Sequence, residues 1–404
     1  MAPKRQPSLS PSATLQEEGD HHEGQRGYQR DEDKLAGSKV RLKERLQQIT
    51  WAWFTWTMST GGISLVLANT PHRFTGLTTI GKVFFLLDLV IYILLIAGIS
   101  VRFITKPKSF KKSLSHPTES LFFPTFWISM STLITLTQTY GGPSCGFWLV
   151  RTTEVLFWLY SALTILLAVF LYWVLFYNSH LTTQSMTPAW NLPAFPIMLS
   201  GTVASALAPW NPPANRLPML IGGVLFQGLG WMVSLMMYPL FISRLMAYGL
   251  PAPGMRPGMF IAVGPPAFTS LALIGMANAI PEGYAYFAVN PDAASILRTL
   301  ALFLSIFIWG VSFWFFCVAA VSCLIAVPFE FSLTWWAFIF PNVGLTVAAI
   351  KIGEELQSEG ILWVGSAMTC LLVAMWLFVL VFHLKAIATR KLLWPVEQQA
   401  EKKD

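Results

Sequence analysis

The stretch GMFIAVGPPAFTSLALIGM, residues 258–276, is apolar over the length of a membrane span and carries a proline pair near its middle. A spanning helix needs about 20 apolar residues, and the chain has about ten segments of that kind. Breaks recur in every second segment: Gly61-Gly62 in the first, Pro124 in the third, Pro193 and Pro196 in the fifth, Pro265-Pro266 in the seventh and Pro341 in the ninth. This alternation predicts the fold.

The segments between the broken ones are mostly uninterrupted. Residues 83–103, 149–176, 297–324 and 361–388 contain no proline, and in residues 217–245 the two prolines, Pro218 and Pro239, lie near the ends. Proline removes a helical hydrogen bond, and in hydrocarbon the freed carbonyl needs a partner from the protein or from water in a cavity. We therefore expect broken helices inside and unbroken helices outside.

The predicted fold is an all-α membrane protein. Ten transmembrane helices form five helical hairpins around a central pore, which the odd-numbered, kinked helices line. The kinks are expected at Pro124, Pro196, Pro265 and Pro341.

Composition excludes a soluble domain. Hydrophobic residues make up 54% of the 404 residues, charged residues only 12%, and the mean hydropathy is +0.55; these values are typical of polytopic membrane proteins. Residues 1–48 differ, being polar and charged, and are predicted to be a disordered tail without a signal peptide. The helical domain is then predicted over residues 49–390, with a second tail over residues 391–404.

Basic residues predict the orientation in the membrane. One side carries Lys39, Arg41, Lys43, Arg45, Arg102, Lys106, Lys108, Lys111, Lys112, Arg244, Arg256, Lys385, Arg390 and Lys391. The other side carries fewer, mixed with carboxylates: Arg73, Lys82, Arg151, Arg216, Arg298 and Lys351. Because positive loops favour the cytoplasm, both tails are predicted to be cytoplasmic, which requires an even number of spans. The net charge of +7 is then mainly a topology signal and predicts no nucleic-acid partner.

Few ionisable residues fall within the predicted spans. They are Asp88, Glu154 and His383, and an intramembrane charge is a functional candidate by default. Asp88 lies on an unbroken segment and Glu154 lies one turn from Arg151, so we expect each to tie helices together or to lie near an interface. His383 is expected at the cytoplasmic boundary. With no acid–base pair at mid-depth, the sequence favours no enzyme.

Cysteine spacing predicts neither a metal site nor a disulfide framework. The four cysteines form no CxxC or Cys/His pattern, so no metal and no cofactor are expected: Cys145, Cys317, Cys323 and Cys370.

Small polar residues cluster beside the breaks and are candidates to line a path. They are Ser59, Thr60, Gly61, Ser129, Ser131, Thr132, Ser200, Thr202, Thr269, Ser270 and Asn342. A cation path would want carboxylates, which these segments lack at mid-depth. Helix-break amides instead favour an anion. The alternative is that these residues are ordinary small residues at helix–helix contacts.

Three motifs resemble one family. They are TWAWFTWTMSTGG at residues 50–62, HPTESLFFPTFW at residues 116–127 and WWAFIFPNVG at residues 335–344. These stretches are similar to the tellurite-resistance/dicarboxylate transporter family, most closely to its fungal malate permeases, and the likeness covers about residues 49 to 390. The family also contains plant slow anion channels and fungal sulfite efflux pumps. The resemblance implies a homotrimer in which each protomer has ten helices and its own pore.

The resemblance also implies site residues. In the channel branch a phenylalanine on the ninth helix plugs the pore, and the matching position is Phe340, with Phe338 as the alternative. Either residue could instead simply pack. His116 matches a family motif at the cytoplasmic start of the third helix. It is expected to hold a proton or meet an anion at the inner mouth, with Glu119 as its partner, or else to be a structural hinge.

Three functions compete. The first is proton-linked transport of C4-dicarboxylates such as malate and succinate, as anions, in the plasma membrane. The second is an inorganic anion channel or sulfite efflux pump of the same fold. The third, an intramembrane enzyme or receptor, is the weakest. The resemblance favours the first, with dicarboxylate anions, protons, membrane lipid and two further copies of the chain as partners.

Overall fold

The computed structural model describes residues 42–178, 182–327 and 330–394. Within these ranges the chain is helical and contains no strand, so the all-α prediction is confirmed. Ten main α-helices follow one another: α1 Phe54–Asn69, α2 Leu77–Thr105, α3 Pro124–Gly141, α4 Gly146–Asn178, α5 Phe195–Leu207, α6 Pro213–Tyr248, α7 Gly264–Asn278, α8 Asp292–Leu324, α9 Phe340–Glu355 and α10 Glu359–Ala388. Each odd-numbered helix packs against the even-numbered helix that follows it. Short helices cover Leu42–Leu46, Lys108–Ser115 and Tyr286–Val289.

Each odd-numbered helix is preceded by a 3₁₀ segment. The segments are Trp51–Trp53, Ser120–Phe122, Pro188–Ala194, Pro253–Val263 and Leu333–Phe338. The four predicted kink prolines lie in the first turn of the α-helix that follows: Pro124, Pro196, Pro265 and Pro341. A missing N–H costs little there, because the first amides of a helix have no intrahelical acceptor. The breaks are therefore changes of helix type at which an α-helix starts.

The predicted break at Gly61-Gly62 is wrong. Helix α1 continues through both glycines without interruption. Their role is close approach: a Cβ at Gly61 would lie 2.5 Å from Oδ2 of Asp88, and one at Gly62 would lie 3.1 Å from Cγ2 of Val343. Removing two side chains lets α2 and α9 pack directly onto α1.

Burial separates the two sets of helices. In the most apolar window of each segment, 67% of α3 and 83% of α5, α7 and α9 with their 3₁₀ segments is buried, against 22–44% of the even-numbered helices. Among the described residues nine helical segments are long and apolar enough to cross a membrane, and the shorter Trp51–Asn69 segment is not one of them. The count of ten spans therefore stays a prediction.

The tail predictions fall mostly outside the described residues, at residues 1–41 and 395–404. Leu42–Leu46 is helical, however, so disorder through residue 48 is wrong. Leu46 packs with Ile49 and α2, and the guanidinium of Arg45 lies 4.1 Å from the ring of Trp394. These contacts hold both ends of the described chain against one end of the bundle.

Candidate functional site

The broken helices converge on a small cavity inside the bundle. We call it the central cavity; its volume is about 20 Å³, room for roughly one water molecule. All five odd-numbered segments line it: Thr55 and Met58; Phe122, Thr125 and Ile128; Leu192 and Phe195; Ile261; and Leu333, Thr334, Ala337, Phe340 and Pro341. No charged side chain is among these residues. Since the walls come from five different segments, the cavity lies where the odd-numbered segments meet.

Phe340 is one of the residues that line this cavity. Its side chain is only 2% exposed. The ring stacks on Phe268 of α7, with centroids 4.9 Å apart and planes 23° apart, and lies 6.3 Å from the ring of Phe195 of α5. Aromatic rings from three inner helices, α5, α7 and α9, therefore pack together beside the central cavity. These rings offer no polar group to replace the hydration of an ion.

Phe338 lies on a different face of the same segment. Its ring packs against Phe260 and Trp335, at centroid distances of 5.3 and 6.0 Å, and it does not line the central cavity. Of the two predicted gate candidates, only Phe340 lines the central cavity.

Each of the three rings, of Phe195, Phe268 and Phe340, lies against a glycine of a neighbouring helix. A Cβ at Gly62 would lie 3.2 Å from Cδ2 of Phe340, and one at Gly264 would lie 2.8 Å from Cζ of Phe195. One at Gly344 would lie 2.8 Å from the ring of Phe268. Because each site is too tight for a larger residue, the glycines fix where the rings can lie.

Two of the three hydroxyls that line the central cavity donate to backbone, and the third, on Thr334, bonds the hydroxyl of Ser332. Thr125 donates to the carbonyl oxygens of Trp51 and Phe122, at 3.0 and 2.7 Å. Thr55 donates to the carbonyl oxygen of Ala52 at 2.6 Å. These hydroxyls satisfy carbonyls freed where the helix type changes. These hydroxyl groups therefore serve mainly to form hydrogen bonds within the protein.

The predicted path-lining residues do not line the central cavity; most make bonds within or between helices. Ser59 donates to the Trp336 carbonyl, and Ser129 to that of Phe54. Four make hydrogen bonds to outer helices. Thr60 accepts from Trp376, Ser200 accepts from Ser161, and Thr269 accepts from Gln227. Ser270 and Ser305 each donate to the other's carbonyl oxygen. Ser131 and Thr132 donate to the Ile128 carbonyl, one turn back.

Two members of the predicted set keep a free oxygen. Oγ1 of Thr202 and Oδ1 of Asn342 are buried and have no hydrogen-bond partner among the described residues. Both lie on inner helices. The Thr202 hydroxyl has a hydrogen bond left to donate, whereas the free oxygen of Asn342 is an amide carbonyl that only accepts one.

The ionisable residues within the helices differ from expectation. Asp88 is fully buried against α1, and neither carboxylate oxygen has a partner among the described residues, so the expected polar tie is wrong. Glu154 does make its tie, accepting from Arg151 at 2.8 Å and from Asn215 on α6. His383 is fully buried among the rings of Trp53, Trp56, Phe331 and Trp336, so its side chain is not exposed at the bundle surface.

His116 lies in a second cavity of about 810 Å³, which we call the basic cavity. Its lining is Gln47, Gln48, Arg102, Lys106, Pro107, Lys108, Ser109, Lys112, His116 and Glu119. Nδ1 of His116 accepts from the backbone amides of Thr118 and Glu119, both at 3.3 Å, and so caps the turn that enters α3. The Glu119 carboxylate pairs with Arg102 at 2.5 and 3.2 Å. The two cavities share no lining residue.

Sequence reasoning missed Phe195 and Phe268. A signal was present, because Phe195-Pro196 repeats the Phe-Pro pair of Phe340-Pro341, and Phe268 follows Pro265 by three residues. An aromatic residue beside a proline break is not sufficient, since Phe123 precedes Pro124 but packs on Trp51 at 4.5 Å.

Buried inner helices that meet around an apolar, aromatic-rich cavity, inside a shell of membrane-length apolar helices, define a polytopic membrane protein. A family model described as Voltage-dependent anion channel matches residues 48–384, and the chain belongs to that family. The resemblance identified from the three motifs is thereby confirmed.

Curated relatives cover most of the chain. A malic acid transport protein of Schizosaccharomyces pombe is 36% identical over 360 residues, 88% of this chain and 82% of the relative. A putative malic acid transport protein of the same yeast is 32% identical over 366 residues, 90% and 85% of the two chains. A sulfite efflux pump of Arthroderma otae is 26% identical over 379 residues, 91% and 98%.

Proposed function

We propose that this protein transports C4-dicarboxylates such as malate and succinate, as anions, along the axis closed by Phe340, and catalyses no covalent reaction. The observation that carries the proposal is that all five odd-numbered segments meet at one apolar cavity, where the ring of Phe340 packs with those of Phe268 and Phe195. The relatives named malic acid transport proteins support the substrate class, at 32–36% identity over most of the chain.

The chemistry of the central cavity favours a substrate of low charge. Its walls hold no ionisable group and only three hydroxyls, from Thr55, Thr125 and Thr334. Removing one negative charge from water costs far less than removing two. The monoanion of malate is therefore the favoured form, and transport should rise as the pH falls toward the second dissociation of malate.

Proton linkage is the second part of the proposal. His116 is the one histidine among the described residues that lines either cavity. His116→Ala should reduce transport and flatten its pH dependence while the protein stays assembled. An unchanged rate and pH profile would leave His116 with only its capping role at the entry to α3.

The setting in the cell completes the proposal. We place the protein in the plasma membrane as a homotrimer, with both termini and the basic cavity on the cytoplasmic side. The support is the excess of lysine and arginine at that end of the bundle. Crosslinking in native membranes and protease protection of tagged termini test the assembly and the orientation separately.

Flux measurement tests the function itself. Purified protein in liposomes is given labelled malate, succinate or sulfite, first under a pH gradient and then under a voltage. We expect dicarboxylate flux driven by the pH gradient. Sulfite flux well above malate flux would favour the second candidate, which the sulfite efflux relatives support at lower identity. Potassium flux above malate flux would contradict both.

A further inference from the structure

The basic cavity has a charge that its own residues do not neutralise. Among the described residues that line it, Glu119 is the one carboxylate, and Arg102 already pairs with it through two hydrogen bonds. Three ammonium groups remain, on Lys106, Lys108 and Lys112, and none has an ion-pair partner among the described residues. The volume of about 810 Å³ is large enough for a charged headgroup.

The position of the cavity relative to the apolar surface indicates the source of the anion. Ile104, in the last turn of α2, is 78% exposed, so the apolar surface extends to this level. The three lysines follow within eight residues of Ile104, where the headgroups of a bilayer would lie. Phe110, on the helix between them, is also 46% exposed and apolar.

The helix that carries two of the lysines is held firmly. The indole N–H of Trp51 donates to Oγ of Ser113 at 3.2 Å, and the rings of Phe103 and Phe110 meet edge to face at 5.1 Å. On the opposite wall, Nε2 of Gln47 donates to Oγ1 of Thr105 at 3.1 Å. The lysines therefore project from a preformed frame that includes the start of the chain leading into α1.

We propose that the basic cavity binds a phosphate-bearing polyanion through Lys106, Lys108 and Lys112, and that the molecule is a membrane lipid. Clustered phosphates match three point charges, and the lipid tails would lie along the exposed apolar face at Ile104 and Phe110. This site is separate from the central cavity, and binding to it does not depend on the proposed transport function.

The test is direct binding to the purified full-length protein in phosphatidylcholine nanodiscs. The probes are short-chain phosphatidylinositol bisphosphate and, separately, soluble inositol trisphosphate. Each lysine near a phosphate contributes about 1 kcal/mol, or roughly fivefold. Lys108→Gln with Lys112→Gln should therefore weaken lipid binding about 30-fold, while replacement of both by arginine should retain it. Inositol trisphosphate should bind more weakly than the lipid.

Lys111→Gln is the matched control. Lys111 lies on the same helix and is exposed, but it does not line the cavity. We expect less than about a twofold change. An equal loss in Lys111→Gln and Lys108→Gln would mean general surface attraction and would overturn the site.

Two other outcomes would also overturn the proposal. Equal affinity for the lipid and for inositol trisphosphate would refute the lipid as the source. Displacement of the lipid by malate at similar concentration would make the cavity a vestibule for substrate. Thermal unfolding of each variant checks that the lysine changes leave the fold intact.

Discussion

The inner and outer helices of this protein satisfy their backbone hydrogen bonds in different ways. The outer helices α2, α4, α6, α8 and α10 are long, continuous and largely exposed to the surroundings, which suits a lipid-facing shell. The inner helices are short, start after a 3₁₀ segment and are almost wholly buried. Continuity is needed where only lipid is available, and a break is tolerated where neighbouring protein can satisfy the backbone.

The difference between the two sets also separates packing from function. In the proposed transport path, an aromatic residue that lines the central cavity closes the path, whereas an aromatic residue elsewhere only fills space. Phe340 and Phe338 are two residues apart on one segment. Phe340 lines the central cavity, and Phe338 packs against Phe260 away from it. Matched substitutions show whether position beside the central cavity, rather than residue type, decides the effect of a substitution on flux and stability.

The largest effect is expected for Phe340→Ala. The change removes a ring that stacks on Phe268, and truncation of a buried phenylalanine costs about 3–5 kcal/mol. Basal anion flux per folded protein should rise severalfold and discrimination between substrates should fall, because the axis is opened. Liposome flux normalised to assembled protein measures both.

Phe338→Ala is the control for that measurement. It should lower the melting temperature without raising normalised flux, because its ring packs against Phe260, off the axis. An increase in normalised flux in Phe338→Ala, with none in Phe340→Ala, would assign the constriction to Phe338 and contradict its assignment to Phe340.

The second prediction concerns Gly62, which lies against the ring of Phe340. Gly62→Ala would place a Cβ 3.2 Å from Phe340 and 3.1 Å from Val343, and overpacking of this kind costs about 1–3 kcal/mol. Normalised flux should change because the ring is displaced. Adding Gly62→Ala to Phe340→Ala should then have little further effect on flux, which a double-mutant comparison detects.

An outer glycine provides the contrast. Gly228 on α6 has no atom within 4 Å of the position of a Cβ. Gly228→Ala should leave flux unchanged and keep or raise stability, by up to about 1 kcal/mol from helix propensity. A similar loss of stability at Gly228 and Gly62 would contradict the distinction between inner and outer helices.

The architecture was largely predictable, and the individual contacts were not. Proline marked where inner α-helices start, because its missing N–H has a fixed consequence for the backbone. The glycine pair misled, because glycine serves both breaks and close approach; only the positions of Asp88 and Val343 show which applies. The direction in which a serine points along a helix was likewise not available from spacing alone.

Buried polar residues were the least predictable. His383 was expected at the cytoplasmic boundary because Lys385 follows it, but that spacing gave no sign that its ring lies inside an aromatic cluster. The side chain of His383 is buried because of the face of α10 on which it lies, and its distance along the chain from Lys385 does not decide this. Asp88 shows the same effect on α2, since its side chain faces the gap left by Gly61.

The third prediction tests the buried histidine of the outer helix α10. Neither ring nitrogen of His383 has a hydrogen-bond partner among the described residues, and an unsatisfied buried polar group is destabilising. His383→Phe keeps an aromatic ring in the cluster and should raise stability by about 1 kcal/mol, after the cost of fitting a larger ring. Thermal unfolding measures this change, and flux should not change.

His383→Ala is the matched variant. It leaves a cavity between Trp53 and Trp336 and should lower the melting temperature. If the phenylalanine variant were as unstable as the alanine variant, the histidine would have a polar role that its surroundings do not explain.

The smallest effect is expected where an inner and an outer helix exchange hydrogen bonds. Ser270 of α7 and Ser305 of α8 each donate to the other's carbonyl oxygen, at 3.0 and 2.9 Å. Interhelical bonds in membrane proteins contribute about 0.6 kcal/mol on average, so Ser305→Ala should lower stability by about that amount and leave flux unchanged. Ser295→Ala, at an exposed position of the same helix, should have no effect on either. Altered anion selectivity in Ser305→Ala would instead give this serine pair a part in the transport path.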